Sequence, residues 1–205
     1  MASLPHQAKP APVPSRGPVL AARPKEGWGS DALTFVFLLF LLETVAWSVM
    51  SASWVKPAPW LPLVVLLAAL AGLLLAKLRA PGLLLFPAGL ALGCLVVLWQ
   101  VIATLPGETW GRQLEEFWTR LNLWLEVVGT GGVSNDPLAL ALLLTFFTWL
   151  VGYVSAWCLY RSLSLWGATL PGALAITTNL NYLPDYGPPL YLFLLAALLL
   201  GMRVH

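Results

Sequence analysis

The sequence has little charge. Of its 205 residues, 10% are Asp, Glu, Lys or Arg, whereas 59% are hydrophobic. Soluble domains carry about 25% charged and about 45–50% apolar residues, and a domain this small has a large surface to cover with polar groups. An ordinary soluble domain is therefore excluded. The net charge of +2 also provides no broad basic surface, so we predict no nucleic-acid partner.

Histidine and cysteine are equally scarce, with two of each. His6 and His205 lie near the two ends, whereas Cys94 and Cys158 lie far apart within apolar segments. A zinc site needs about four ligands at short spacings, and a cysteine or serine nucleophile usually needs a histidine base. The sequence also has no glycine-rich phosphate-binding loop. We therefore predict no catalytic residue, no metal site and no cofactor in this chain.

Long apolar runs are what the sequence does have. A helix rises 1.5 Å per residue, so about 20 residues cross a hydrocarbon core of about 30 Å. We predict an all-α, polytopic membrane protein with about six transmembrane helices, which cover residues 32–54, 61–77, 83–105, 138–160, 163–182 and 188–204. Because proline removes a helical hydrogen bond, Pro171-Gly172 is expected to break the fifth of them.

The first 30 residues have a different composition, with six prolines and four basic residues. Spaced prolines oppose both helix and sheet formation. Residues 1–30 are therefore predicted to form a disordered, basic tail, followed by a helical membrane domain over residues 31–205. Ser30 and Asp31 are expected to cap the first helix at its N-terminus.

Residues 108–128 follow a different pattern from the six apolar segments. Their apolar side chains fall within about 120° of a helical wheel, and polar side chains fill the rest. Such a helix is too polar to span and is predicted to lie flat at the membrane interface. Its polar face is more acidic than basic, which favours packing on the protein's own helix ends or on a partner domain over binding to anionic lipid.

The distribution of Lys and Arg predicts the orientation. With six spans, eight of the 11 basic residues, including the four in the tail, fall on one side, and Lys56, Arg112 and Arg120 fall on the other. The positive-inside rule places the richer side in the cytoplasm. Both termini are therefore predicted to be cytoplasmic, and the interfacial helix is predicted to lie on the outer side.

Glu43 is a candidate intramembrane polar site, because long apolar stretches flank it on both sides. A carboxylate at that depth is costly and is a functional candidate by default. One interpretation is proton or cation handling, or a ligand contact. The other is a protonated or hydrogen-bonded carboxyl group with a structural role.

Two groups of polar residues are candidates for outer-face contacts. Ser134, Asn135 and Asp136 belong to the loop before the fourth segment, whereas Asn179, Asn181 and Tyr182 end the fifth. They can face an extracytoplasmic ligand. Alternatively, they cap helix ends and anchor them at the lipid headgroups.

Several short stretches carry a resemblance to a known family. The most specific is Gly-Gly-Val-Ser-Asn-Asp-Pro at residues 131–137, and the others cover residues 24–28, 45–49, 149–153, 156–157, 170–172 and 179–182. In this order they resemble the N-terminal membrane region of bacterial membrane-anchored transglutaminase-like proteins of the TgpA type. The resemblance extends from about Pro24 to His205.

The resemblance implies a bacterial inner-membrane protein whose membrane region is followed by a further helix and an extracytoplasmic transglutaminase-like domain with a Cys-His-Asp triad. The chain ends before that region, so no triad residue can be assigned here. The resemblance predicts a non-catalytic anchor or scaffold for that domain. Its partners would be the lipid bilayer and either the extracytoplasmic domain of the same gene product or neighbouring membrane subunits.

Two other functions remain open at this point. The chain can instead be a structural accessory subunit of a larger bacterial membrane complex, with helix faces that pack on neighbouring subunits through small residues. It can also be a small-solute or proton carrier that uses Glu43.

Overall fold

The computed structural model describes residues 28–132, 134–182 and 187–204. These residues form seven helices and no strand, so the all-α prediction is confirmed. The helices are α1 (Trp28–Ser51), α2 (Leu61–Lys77), α3 (Gly82–Ala103), α4 (Trp110–Gly129), α5 (Leu138–Arg161), α6 (Leu165–Tyr182) and α7 (Pro188–Val204). Residues 1–27, which make up most of the predicted tail, and His205 lie outside the described residues.

The start of α1 differs from the prediction. The helix begins at Trp28, so residues 28–30 are helical instead of belonging to the tail. Ser30 and Asp31 therefore lie inside the first turn, and their assignment as N-caps is wrong. The last proline before the helix is Pro24, and a proline four residues upstream does not prevent the helix from starting at Trp28.

The predicted break at Pro171-Gly172 is also wrong, because α6 continues through both residues. Proline removes one N–H donor, and neighbouring groups in a helical membrane protein can compensate for the loss. Gly172 has a packing role here. A Cβ atom added to it would lie 2.9 Å from the Phe193 ring on α7 and 3.2 Å from a methyl group of Val45 on α1.

The helices form two layers. Helices α7, α1, α2 and α3 lie side by side, and α5 and α6 pack across them. Two hydrophobic clusters fill the interior, one around α1, α6 and α7 and the other around α3 and the start of α5. Because α2 and α5 contribute to both clusters, they form the central pair of the bundle.

Small residues allow α2 and α5 to approach closely. A Cβ atom added to Gly72 would lie 2.6 Å from the Ala156 Cβ and 2.8 Å from the Tyr153 carbonyl oxygen. One added to Gly152 would lie 2.9 Å from the Ala68 Cβ. Each helix thus presents a pair of small residues four positions apart, which is the usual motif for close helix contacts in membranes.

Two glycines of α3 accommodate large aromatic side chains of α5. Gly89 lies against the ring of Tyr153, and Gly93 lies against the indole of Trp149. Both aromatic side chains are fully buried. The Tyr153 hydroxyl group donates to the carbonyl oxygens of Leu85 and Phe86, at 3.3 and 3.2 Å. This contact fixes the first half of α3 to the centre of α5.

The two ends of the bundle differ. At one end, called the basic end, Lys77 forms a 2.7 Å salt bridge with Asp31. There too, the Arg161 guanidinium donates to the carbonyl oxygens of Leu78 and Ala80 at 3.0 and 2.9 Å. These contacts join the start of α1, the end of α5 and the turn between α2 and α3.

The opposite end, called the α4 end, carries the amphipathic helix. The Phe117 side chain of α4 is buried among residues that include Val101 and Leu138, and the Gln113 amide donates to the Leu105 carbonyl oxygen at 3.1 Å. Other apolar side chains of α4 remain exposed, namely Trp110, Leu114, Trp118, Leu123, Leu125 and Val128. The helix therefore packs on the bundle along one edge of its apolar face only.

Candidate functional site

A buried polar cluster joins three segments at the α4 end. The Asn179 side chain on α6 is 6% exposed. Its amide nitrogen donates to the carbonyl oxygen and to the hydroxyl oxygen of Ser48 on α1, at 2.8 and 2.9 Å. Its amide oxygen accepts a 3.1 Å hydrogen bond from the Trp54 indole. Every polar atom of this amide is thus bonded, as burial requires.

Tyr182 completes the cluster on its exposed side. Its ring meets the Trp54 ring edge to face, with a distance of 5.2 Å between ring centres. The Tyr182 hydroxyl group is not hydrogen-bonded to any residue that the structure describes. The cluster therefore combines a fixed interior part with an aromatic ring whose polar tip is available.

A cleft of about 820 Å³ begins at this cluster. Helices α5 and α6 form its walls, and Val45 and Val49 of α1 form part of its floor. The two walls are close together near the turn that connects them, where a Cβ atom added to Gly167 would lie 2.8 Å from the Cys158 Cβ. On α6 the lining extends from Pro171 to Tyr182.

The lining is apolar over most of its length. The polar lining residues are Thr148, Thr178, Asn179, Trp54 and Tyr182, and no lining residue is charged. Clefts of about 300–1,000 Å³ that combine apolar walls with a few polar groups are typical of small-ligand sites. Such a lining suits binding to an apolar molecule and offers neither a nucleophile–base pair nor an acid–base pair for catalysis.

A smaller pocket of about 440 Å³ also lies at the α4 end. Its lining includes Lys56 before α2 and Arg120 on α4. Arg120 already pairs with Glu116 one turn earlier, with an Nε to Oε1 distance of 2.6 Å. The lining of this pocket therefore includes one arginine whose charge is paired with a glutamate and one exposed lysine.

Glu43 lies outside both cavities. Its neighbours on the same stripe of α1 are Val36, Phe40 and Trp47, all of which are exposed, whereas Glu43 itself is half-buried. Within the described part of the chain, no residue donates a hydrogen bond to its carboxylate. The structure therefore places this carboxyl group on the outer surface of the bundle and away from its centre.

The loop candidates have mainly local contacts. The Asp136 carboxylate accepts a 2.8 Å hydrogen bond from the backbone N–H of Leu138, the first residue of α5. The Ser134 hydroxyl oxygen accepts one from the Asp136 backbone N–H at 3.2 Å. Asn135 is exposed. Val133, in the middle of the same motif, lies outside the described residues.

The structure brings Asn179 and Tyr182 together in one cluster but leaves Asn181 exposed beside it. Sequence reasoning did not find Ser48 and Trp54 as their partners. Ser48 was hidden within an apolar helix, and Trp54 resembled an ordinary interfacial tryptophan. Ser48 on α1 and Asn179 on α6 lie at a similar distance from the α4 end of their helices, and this match is the signal that would have predicted their contact.

Metal-binding groups are also sparse in the structure. Among residues 28–132, 134–182 and 187–204, no three His, Cys, Asp or Glu side chains are grouped to hold a metal ion. Cys94 is exposed, Cys158 is partly buried, and both are free thiols.

Three of the described helices are long and apolar enough to cross a membrane: Asp31–Ser51 within α1, and the whole of α3 and α5. Two shorter apolar helices, α2 and α7, pack beside them. These features support a helical membrane protein. No protein-family model, curated protein or solved structure is significantly similar to the chain.

Proposed function

We propose that the chain is a non-catalytic domain that crosses the bacterial inner membrane six times and anchors a transglutaminase-like module on the outer side. The basic end faces the cytoplasm, and the α4 end faces outward. The module itself, with its Cys-His-Asp triad, belongs to the same gene product. Because α7 ends at the basic, cytoplasmic end, one further membrane-spanning helix connects this region to the module.

The separation of charge between the two ends of the bundle is the observation that carries the proposal. At the basic end, Lys77 pairs with Asp31, and Arg161 donates to backbone carbonyl oxygens of the turn between α2 and α3. Arg79 and Arg203 also lie near helix ends there. The other described basic residues, Lys56, Arg112 and Arg120, lie at the α4 end together with five acidic residues, Glu108, Glu115, Glu116, Glu126 and Asp136. The excess of Lys and Arg at the basic end comes mainly from the four basic residues that precede α1 in the sequence. Basic residues concentrate on the cytoplasmic side of membrane proteins, so this asymmetry supports the proposed orientation.

The short helices are compatible with six crossings. Helices α2 and α7 have 17 residues each, which corresponds to about 26 Å at 1.5 Å per residue. The hydrocarbon core of about 30 Å can thin locally, and flanking residues can reach its edge. Trp60 and Lys77 stand at the two ends of α2 and provide such anchors.

The α4 helix supplies a platform in this proposal. Its exposed apolar side chains, among them Trp118 and Leu125, enter the outer headgroup region, as amphipathic interfacial helices do. Its acidic side chains remain in water and face the module. The helix thus sets the distance between the bundle and whatever lies outside the membrane.

The proposal is tested on the gene. We expect the reading frame to continue beyond the codon for His205 and to encode a domain with a cysteine, a histidine and an aspartate. Protease added to intact spheroplasts should remove that domain and leave the helical bundle in the membrane. A stop codon directly after His205, or a domain that only lysis exposes to protease, would contradict the proposal.

A second candidate is a structural accessory subunit of a larger membrane complex, and Glu43 is the observation that favours it. A carboxyl group on an exposed apolar stripe is costly in lipid, and a neighbouring subunit can supply its partner. Blue-native electrophoresis of the wild type and Glu43→Gln tests this. A larger complex that the variant loses would favour a subunit, and identical monomers would exclude this role for Glu43.

A further inference from the structure

We infer that the cleft between α5 and α6 binds one acyl chain of a glycerophospholipid, whose head lies beside Trp54 and Tyr182. The site goes beyond the anchoring function, which needs no bound ligand. Three observations carry it: the depth of the cleft, its polarity gradient and the free hydroxyl groups at its mouth.

The cleft is deep enough for the acyl chain of one leaflet and stops before the basic end. Its lining extends over eleven helical steps on α6, from Tyr182 to Pro171, and over fourteen on α5, from Leu140 to Val154, which correspond to about 16 and 21 Å at 1.5 Å per step. The hydrocarbon core of a bilayer is about 30 Å thick, so one leaflet occupies about half of that. A transmembrane helix from another subunit would need a groove along the whole bundle, whereas the lining includes no residue of α5 after Val154 and none of α6 before Pro171.

The polarity of the cleft changes along its length. The deep part is lined by Val45, Val151 and Pro171, which offer only apolar atoms. The mouth has the polar cluster, with the Trp54 and Tyr182 rings at the end of the bundle where lipid headgroups would lie. An amphiphile with an apolar tail and an oxygen-rich head fits this gradient.

Two hydroxyl groups at the mouth are available to the head. Thr178 and Tyr182 line the cleft, and neither side chain is hydrogen-bonded to any residue in the described part of the chain. Both can donate to the ester or phosphate oxygens of a phospholipid. Asn179 is already engaged with Ser48 and Trp54, so it shapes the mouth and does not bind the head.

The test uses the whole chain in vesicles of phosphatidylethanolamine and phosphatidylglycerol. A small fraction of phosphatidylethanolamine carries a photoreactive diazirine midway along one acyl chain, and mass spectrometry maps the adducts. We expect adducts on Val151 and Ala175 to exceed those on Leu198, which is exposed on α7, by about tenfold. Equal labelling of the cleft and of Leu198 would show ordinary surrounding lipid and overturn the proposal.

Variants that fill the cleft provide the second arm. Ala175→Trp and Val151→Trp fill it from opposite walls, and Leu198→Trp adds the same ring outside it. Native mass spectrometry in mild detergent should show one retained phospholipid in the wild type and in Leu198→Trp, with retention reduced about tenfold in the cleft variants. Retention of lipid in all variants would overturn the proposal. So would a wild type that is a lipid-free dimer and cleft variants that are monomers, because the cleft would then bind a second copy of the chain.

A conservative pair keeps the proposal falsifiable if the larger variants fail to fold. Tyr182→Phe removes the hydroxyl group at the mouth, and Tyr191→Phe removes one from an exposed tyrosine on α7 that does not line the cleft. We expect phospholipid retention to fall about threefold for Tyr182→Phe, the effect of one neutral hydrogen bond, and to be unchanged for Tyr191→Phe. Equal retention by both variants would contradict a head bound at Tyr182.

Discussion

Asn179 illustrates how one buried amide can hold three segments together. Its side chain bonds to Ser48 on α1 and to Trp54 after α1, so its removal leaves the buried Ser48 hydroxyl group and the partly buried Trp54 indole without this partner. Leaving such groups unsatisfied costs about 1–3 kcal/mol each. The cluster therefore contributes to the relative position of α1 and α6 at the α4 end.

We predict that Asn179→Ala lowers the free energy of unfolding by about 2–3 kcal/mol. Asn181→Ala is the matched control, because Asn181 is exposed two residues further along the same helix. Unfolding in mixed micelles, followed by Trp fluorescence, measures both variants. Equal stabilities for the two variants would show that the cluster does not stabilise the bundle.

Glu43 has the opposite relation to its surroundings. Its carboxylate receives no hydrogen bond from the described residues and lies on the exposed stripe of α1. A charged side chain at the centre of a membrane helix costs about 2.5–3.5 kcal/mol on insertion scales. We predict that Glu43→Leu preserves the fold and improves membrane insertion in a glycosylation-based insertion assay. Loss of folding would show that the carboxyl group has a structural partner.

The sequence allowed only part of this to be predicted. The scarcity of charge marked Glu43 as unusual, but helical periodicity in an apolar segment does not tell which face meets lipid. The sequence predicted that Asn179 lies at a helix end. Its contact with Ser48 could not be predicted, because that contact depends on the packing of α6 against α1. Long-range partners of single polar residues arise from tertiary structure, which local patterns do not encode.

At the scale of elements, the central contact is between α2 and α5. Gly72 and Ala68 face Gly152 and Ala156 at distances that leave no room for added atoms. Van der Waals contact between such small residues drives helix association in lipid, where apolar burial against water is absent. The close contact of α2 and α5 therefore contributes to the stability of the bundle.

We predict that Gly72→Ala destabilises the bundle by a net of up to about 2 kcal/mol, because overpacking costs about 1–3 kcal/mol and alanine returns about 1 kcal/mol through its helix propensity. The added Cβ would lie 2.6 Å from the Ala156 Cβ and 2.8 Å from a backbone oxygen, neither of which can rotate away. Gly111→Ala on α4 is the control, since no atom lies within 4 Å of the added Cβ. Thermal melting followed by circular dichroism should show a lower midpoint for Gly72→Ala alone. An unchanged midpoint would mean that the two helices can move apart without loss.

Helices were easier to predict than their interruptions. Apolar run length indicated where α2 and α7 lie, because turns rich in proline and glycine separate the segments. Pro171 was misjudged, since a proline in an aqueous helix breaks it more readily than one packed among neighbouring helices. In the structure, Gly172 packs against the Phe193 ring on α7. This contact joins residues that are distant in the sequence, so local patterns do not predict it.

At the scale of the whole molecule, an apolar helical bundle connects two unlike ends. At the basic end, Arg161 and the Asp31–Lys77 pair link α1, α2, α5 and the turn between α2 and α3. The α4 helix, the polar cluster and the mouth of the cleft occupy the other. This asymmetry supports the proposed orientation. The proposed orientation requires that successive spanning helices alternate in direction across the membrane.

Topology mapping with single cysteines tests this central claim most directly. In a background with Cys94→Ala and Cys158→Ala, one cysteine is introduced at an exposed position at either end. Arg79→Cys and Ser162→Cys report on the basic end, and Lys56→Cys, Glu108→Cys and Thr130→Cys report on the α4 end. A maleimide that does not cross membranes is then added to intact spheroplasts.

We predict that positions 56, 108 and 130 react in intact spheroplasts, whereas positions 79 and 162 react only after the membrane is permeabilised. The positive-inside rule and the alternation of six spans require this pattern. Reaction of position 79 or 162 in intact spheroplasts, or failure of position 56, 108 or 130 to react there, would contradict the proposed membrane topology.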